Sequence, residues 1–170
     1  MAIIEDKISA VAGKTINDLK PGDIFQILRD GCLITAIKVK VSDNIAKSMD
    51  IGFTCINLET GDGHGFGESS PVLYWPQATI MTMGALAKDT KLEKPFTKPD
   101  KFGKLTPGAI YRHVDASTRE MCTCIKIAEF RHGDTLAEVN LDSGLIQFFH
   151  PENPVDYLPQ ACIQLSPPRP

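Results

Sequence analysis

The stretch GDGHGFGESS, Gly61 to Ser70, gathers the side chains whose types and spacing come nearest to a reactive set. On an extended strand Asp62, His64, Phe66 and Glu68 share one face, so a carboxylate could orient the imidazole as a base toward Ser69 or Ser70. That is an enzyme with a His64-centred site. The rest of the chain supplies no oriented third group and no oxyanion site, so no catalytic residue is assigned. The same glycines suggest a phosphate loop, which needs Gly-x-Gly-x-x-Gly opening a helix. Counted from Gly61 or Gly63 the sixth residue is Phe66 or Glu68, and no Gly-Lys-Ser/Thr follows, so the spacing is wrong. Cys122 and Cys124, two apart on a strand, point to one face, where His113 or His132 could join them around a metal. Structural zinc sites usually show two regularly spaced ligand pairs, and a buried cysteine behaves as a small hydrophobe. The expectation is therefore neither metal nor cofactor.

The chain that must position these groups has 170 residues, 42% hydrophobic and 23% charged, with a net charge of -3. Such a composition folds, and its charge gives no specific indication of nucleic-acid binding. No run approaches the roughly twenty apolar residues of a membrane span. Glu5 and Asp6 interrupt what an export signal would keep apolar. Five cysteines without a regular framework fit a reducing compartment. The expected location is a bacterial cytoplasm, or a virion.

Two segments align without a gap. Asn57 to Ile80 reads NLETGDGHGFGESSPVLYWPQATI and Asn140 to Ile163 reads NLDSGLIQFFHPENPVDYLPQACI, identical at eleven of twenty-four positions. Upstream, Leu19-Lys-Pro-Gly-Asp-Ile-Phe25 matches Leu105-Thr-Pro-Gly-Ala-Ile-Tyr111, and Ile37-Lys-Val39 matches Ile125-Lys-Ile127. The offset shifts from 86 to 88 to 83, which places the insertions between strands. The chain reads as a tandem duplication.

Each copy predicts five short strands. The first three are Ile24 to Leu28, Leu33 to Val41 and Phe53 to Leu58, or Ile110 to Val114, Met121 to Ala128 and Leu136 to Leu141. A glycine hairpin leads to a fourth strand through Phe66 or Phe149. A single helical turn is expected at Pro71 to Trp75 or Pro154 to Leu158, then a fifth strand at Gln77 to Met83 or Gln160 to Leu165. This plan, with its Leu-x-x-Gly-x-x-Phe opening and Asn-Leu-x-x-Gly hairpin, resembles the small SH3-like β-barrel proteins common in bacteria and phages. The resemblance implies an all-β chain of two tandem SH3-like barrels and carries no catalytic residues across.

The expected layout is an N-terminal arm over 1–14, a barrel over 15–86, a lysine-rich linker over 87–101, a second barrel over 102–166 and a tail over 167–170. Ile3, Ile4, Ile8 and Val11 recur at near-helical spacing, which predicts a short helix in the arm. Ser42 to Asp50 predicts a further helical turn presenting Ile45 and Met49, found only in the first copy. Where the second copy has Ile146 and Phe148, the first has Gly63 and Gly65, and Trp75 replaces Leu158. Removing those side chains forfeits ~3 kcal/mol of burial unless another group fills the room: Trp75, the N-terminal helix, the sister barrel, a second subunit or a ligand. The candidate binding residues are therefore Gly63, His64, Gly65, Phe66, Trp75, Ile45 and Met49. The expected function is a non-catalytic protein-binding module, an accessory protein of a phage or bacterium with a protein partner or self-association. A virion decoration or tail-associated protein and a sequestering protein for a small anion or nucleotide are the alternatives, beside the His64 enzyme.

Overall fold

The computed structural model describes residues 11–46, 51–82 and 99–165. These residues are mostly strand, which places the chain in the all-β class. The N-terminal half contributes β1 (Val11–Thr15), β2 (Ile24–Arg29), β3 (Cys32–Lys38), β4 (Lys40–Val41), β5 (Cys55–Asn57), β6 (Gly63–His64), β7 (Pro71–Tyr74) and β8 (Thr79–Thr82). The C-terminal half contributes β9 (Asp100–Lys101), β10 (Ile110–Val114), β11 (Met121–His132), β12 (Thr135–Asn140), β13 (Leu145–Phe149), β14 (Pro154–Tyr157) and β15 (Ala161–Gln164). The described helical structure is one turn at Asp43–Ala46 and two 3-10 turns, Ile16–Asp18 and Phe102–Lys104. Among the described residues no helix is long and apolar enough to cross a membrane.

One sheet has the order β1-β7-β2-β3-β5-β6 and the other β9-β14-β10-β11-β12-β13-β4. Strands aligned in sequence thus occupy the same places, with β4 of the N-terminal half added to the far edge of the second sheet. β2 and β3 pair with Ile24 opposite Ile37 and Phe25 opposite Ala36, so the first pair faces the central core and the second the smaller core of their own sheet.

The structure departs from the expected plan at four places. The helical turns expected at Pro71 to Trp75 and Pro154 to Leu158 are strands β7 and β14. Each opens with the proline, where no ladder donor is lost, and buries its valine, Val72 or Val155. The fifth strands pair with each other, Ile80 opposite its alignment counterpart Ile163, and join the two halves in an antiparallel ribbon. Val11, the last residue of the expected helical spacing, begins β1; Ile3, Ile4 and Ile8 lie outside the described residues. Asp100 and Lys101, at the end of the stretch read as linker, pair with β14.

The packing explains the ribbon. A central core draws Ile24, Ile37, Val39, Ile56 and Leu58 from the N-terminal half, and Ile110, Ile125, Ile127, Ala137, Val139, Leu141 and Ile146 from the C-terminal half. Each fully buried aliphatic side chain contributes about 1.5–3 kcal/mol, so the largest apolar cluster belongs to neither half alone. Two smaller cores lie inside the individual sheets, one around Phe25 and Ile16, the other around Tyr111 and Phe102.

The backbone seals the same seam. Lys40 donates its N–H to the Gly144 carbonyl at 2.9 Å, and Ala128, its counterpart, donates to the Gly61 carbonyl at 3.0 Å. The glycines shared by the two hairpins sit at φ +74° and +67°, and each hairpin lies against the Pro-Gly turn of the opposite half. A Cβ on Gly61 would come within 2.5 Å of the Gly108 nitrogen, so a close approach as well as positive φ requires glycine. Two aligned lysines brace the entry to each sheet. Lys38 Nζ donates to the carbonyls of Ile16 (2.6 Å) and Leu19 (2.8 Å). The buried Lys126 Nζ donates to those of Phe102 (3.2 Å), Gly103 (3.2 Å) and Leu105 (2.6 Å).

Candidate functional site

The glycine stretch forms β6, an outer edge of the first sheet. Asn57 N–H donates to the Asp62 carbonyl and Thr54 N–H to the His64 carbonyl, each at 2.9 Å, so those residues turn their backbone groups toward β5. Strand alternation then aims the N–H and C=O of Gly63 away from β5, toward the open edge. The side-chain room above Gly63 is filled by Phe53, whose ring carbons lie 2.7 Å from where a Cβ would sit. A Cβ on Gly65 would meet the Gly52 carbonyl oxygen at 2.7 Å. Phe53 thus takes up room beside Gly63 in the central core, where the aligned Ile146 of the other half is itself buried. Phe53 packs edge-on against Phe130 at 5.5 Å, and Phe130 meets Phe148 at 5.7 Å, so an aromatic row crosses the seam.

Trp75 takes a different place from the one expected if it covered the glycines. Its indole Nε1 donates to Gln26 Oε1 at 3.0 Å and its backbone N–H to the Ile24 carbonyl at 3.1 Å, which ties it to β2. Ile45 stands half-buried on the Asp43–Ala46 turn that follows β4. Met49 lies outside the described residues. The structure therefore brings together Gly63, His64, Gly65 and Phe66, and sets Trp75 and Ile45 on other elements.

An open cleft of about 620 Å³ runs along this edge, lined by Arg29, Asp62, Gly63, His64, Gly65, Pro107 and Ala128. Sequence reasoning missed Arg29, which comes from β2. Its guanidinium contacts His64 Nδ1 and stands 5.8 Å from the Phe66 ring centroid, and His64 lies 5.9 Å from Phe66. Burial lowers the His64 pKa, Arg29 lowers it further, and Asp62 opposes both. His64 is thus a neutral partner for Arg29 at physiological pH. The cleft offers a cation, an imidazole and bare backbone on one side, with Pro107 and Ala128 of the other half opposite.

A second cluster lies within the C-terminal half. His113 Nε2 is 2.9 Å from Glu138 Oε1 and 3.5 Å from Cys124 Sγ, and the Tyr111 hydroxyl donates to Glu138 Oε2. All four residues are buried, with Glu138 only 1% exposed, and His113 stacks on Phe149 at 4.3 Å. Burial works against charge on His113, but the hydrogen bond and charge of Glu138 outweigh it and raise its pKa. Burial, reinforced by Glu138, pushes the Cys124 thiol far up, so it is no nucleophile. The sequence points to His113 and Cys124, but Tyr111 and Glu138 went unremarked. A signal existed, because the aligned positions in the first half are Phe25, Ile27, Ala36 and Cys55. Cys122 shares the face of Cys124 as expected, while His132, at the end of β11, lies tilted against Phe148 at 5.5 Å instead.

Comparison with protein-family models, with curated proteins and with solved structures finds no match to this chain.

Proposed function

We propose that the protein is a non-catalytic protein-binding module, a tandem pair of SH3-like barrels fused face to face, whose β6 edge accepts an extended segment of a partner protein. The observation that carries the reading is a difference between two matching edges. β13 is covered by β4, which pairs parallel to it with Lys40 opposite Leu145 and Val41 opposite Ile146. β6 is its counterpart in the alignment, and among the described residues no strand pairs with its outer side. The chain thus carries, at one edge, an internal example of the strand addition proposed for the other. At β6 the neighbouring backbone donates from Ala128 to the Gly61 carbonyl, after which β11 shifts register and pairs with β12 as far as His132. Glycine at 63 and 65 lets a partner backbone approach closely, while Arg29 and Phe66 contact its side chains.

The SH3-like part of the reading is supported by strand order. In each half the strand that replaces the expected helical turn lies beside the first strand, followed by the second, third and fourth, as β7-β2-β3-β5-β6 and β14-β10-β11-β12-β13, while the fifth strands β8 and β15 pair across the halves. The binding part is tested by selecting peptides from a displayed random library against the whole protein and mapping the bound peptide by amide chemical shifts. Binders should perturb Gly63, His64 and Gly65, and Arg29→Ala, which removes the exposed cation of the cleft, should weaken binding while leaving the far sheet's spectrum unchanged. Binders that map to another surface and survive Arg29→Ala would overturn the reading.

A further inference from the structure

We propose that His113, Cys124 and Glu138 bind one divalent cation of the zinc class, with the Tyr111 hydroxyl beside them as a fourth oxygen. The three donor atoms lie within 4.8 Å of one another. With metal–nitrogen and metal–sulfur bonds of about 2.05 and 2.3 Å, the 3.5 Å separation of Sγ and Nε2 subtends about 107° at a shared ion, close to tetrahedral. The 2.9 Å separation of Nε2 and Oε1 subtends about 92° at bonds near 2 Å, and opening it by roughly 0.4 Å completes the angle.

Hydrogen bonding alone satisfies the cluster poorly. Nε2 faces both a carboxylate oxygen and a sulfur but carries at most one proton. A cation engages nitrogen, sulfur and oxygen at once. A thiolate and a carboxylate around a divalent ion, with neutral histidine, give a site of zero net charge, which a buried core tolerates. Binding breaks the Cys124 S–H bond, forms the metal–sulfur bond and releases that proton to solvent. The mixed sulfur, nitrogen and oxygen donors suit zinc or cobalt and disfavour magnesium or calcium. The aligned positions in the N-terminal half reinforce the assignment. There the set is Phe25, Ile27, Ala36 and Cys55, and Phe25, Ile27, Ala36 and Cys55 are all buried in that half's own core. An apolar solution therefore exists for this barrel interior, and the C-terminal half departs from it at four neighbouring positions together.

The test unfolds the whole protein, refolds it with cobalt(II) or zinc, removes excess metal and measures metal content, thermal midpoint and absorption. The expected result is one metal per chain, a raised midpoint, and for cobalt a thiolate charge-transfer band with tetrahedral visible bands. Cys124→Ala, which places there the residue found at position 36, should lose the band and the metal. A Cys32→Ser, Cys162→Ser variant, which removes the two exposed thiols, should keep both. Substoichiometric metal in the wild type, a band retained in Cys124→Ala, or a band lost with the exposed thiols would each overturn the assignment.

Discussion

Substituting Ile37 by alanine should destabilise the two halves together. Ile37 is fully buried, lies opposite Ile24 on β2 and Ile56 on β5, and belongs to the core shared with Ile125, Ile127, Val139 and Ile146. The change deletes three buried carbons and leaves a cavity bounded by both halves. For such sites the loss is about 3 kcal/mol, within a range of about 2–5. For a chain of this size each kcal/mol shifts the thermal midpoint by about 2–4 °C, so the midpoint should fall by roughly 6–12 °C. Trp75, the only tryptophan, reports on the N-terminal half through its fluorescence. Hydrogen exchange of β11 and β12 peptides, followed by mass spectrometry across a urea series, reports on the C-terminal half. The two midpoints should coincide in the wild type and move by the same amount in the variant. If β11 and β12 keep wild-type protection at urea concentrations that unfold the Trp75 environment, the shared core does not couple the halves and the reasoning fails.

Thiol reactivity should divide the cysteines by burial: Cys32 and Cys162 react promptly with an aromatic disulfide in the native protein, and Cys55, Cys122 and Cys124 react only on denaturation. Cys55 is held back by chemistry as well as access, since burial pushes its thiol up to about 12 against the opposing charge of Arg29; prompt release of more than two thiols would contradict the packing. Asp18 gives a pH-dependent contribution, because the Thr15 N–H, at 2.8 Å, and hydroxyl, at 3.0 Å, donate to its carboxylate and lower its pKa below 3.8. The unfolded chain then binds the proton more readily, so the stabilisation is full above the ordinary carboxylate pKa and is lost as pH falls through the lowered folded value. Asp18→Asn should lower the thermal midpoint at pH 6 and converge with wild type in strong acid; a gap independent of pH would count against the contact.

Both first strands, Ile24 to Leu28 and Ile110 to Val114, are legible because each is a short apolar run directly behind a Pro-Gly turn. The hairpin glycines are legible for a similar reason, since Gly61 and Gly144 need positive φ in a turn. What the alignment cannot convey is that these glycines also receive the Pro-Gly turns of the opposite half, because that contact is nonlocal. The same limit misplaces Pro71 to Tyr74. A proline followed by aromatic residues suits a turn locally, yet burial of Val72 between β1 and β2 selects the strand. The candidate edge was half legible: Gly63, His64, Gly65 and Phe66 are adjacent in sequence, but Arg29 and Phe53 reach them only through sheet pairing and packing.

The sequence by itself determined the all-β class, most of the strands and the positions where the halves differ, because propensity, turn chemistry and alignment are local or pairwise along the chain. Tertiary structure alone decided what those differences mean. Phe53 rather than Trp75 fills the room above Gly63, since ring placement depends on which strand lies over the edge. Tyr111, His113, Cys124 and Glu138, spread over β10, β11 and β12, become one buried cluster because antiparallel pairing brings the same face of three strands together. The closing strands β8 and β15 serve each other because a core this small is better shielded when two open sheets are joined than when each is left to cover itself.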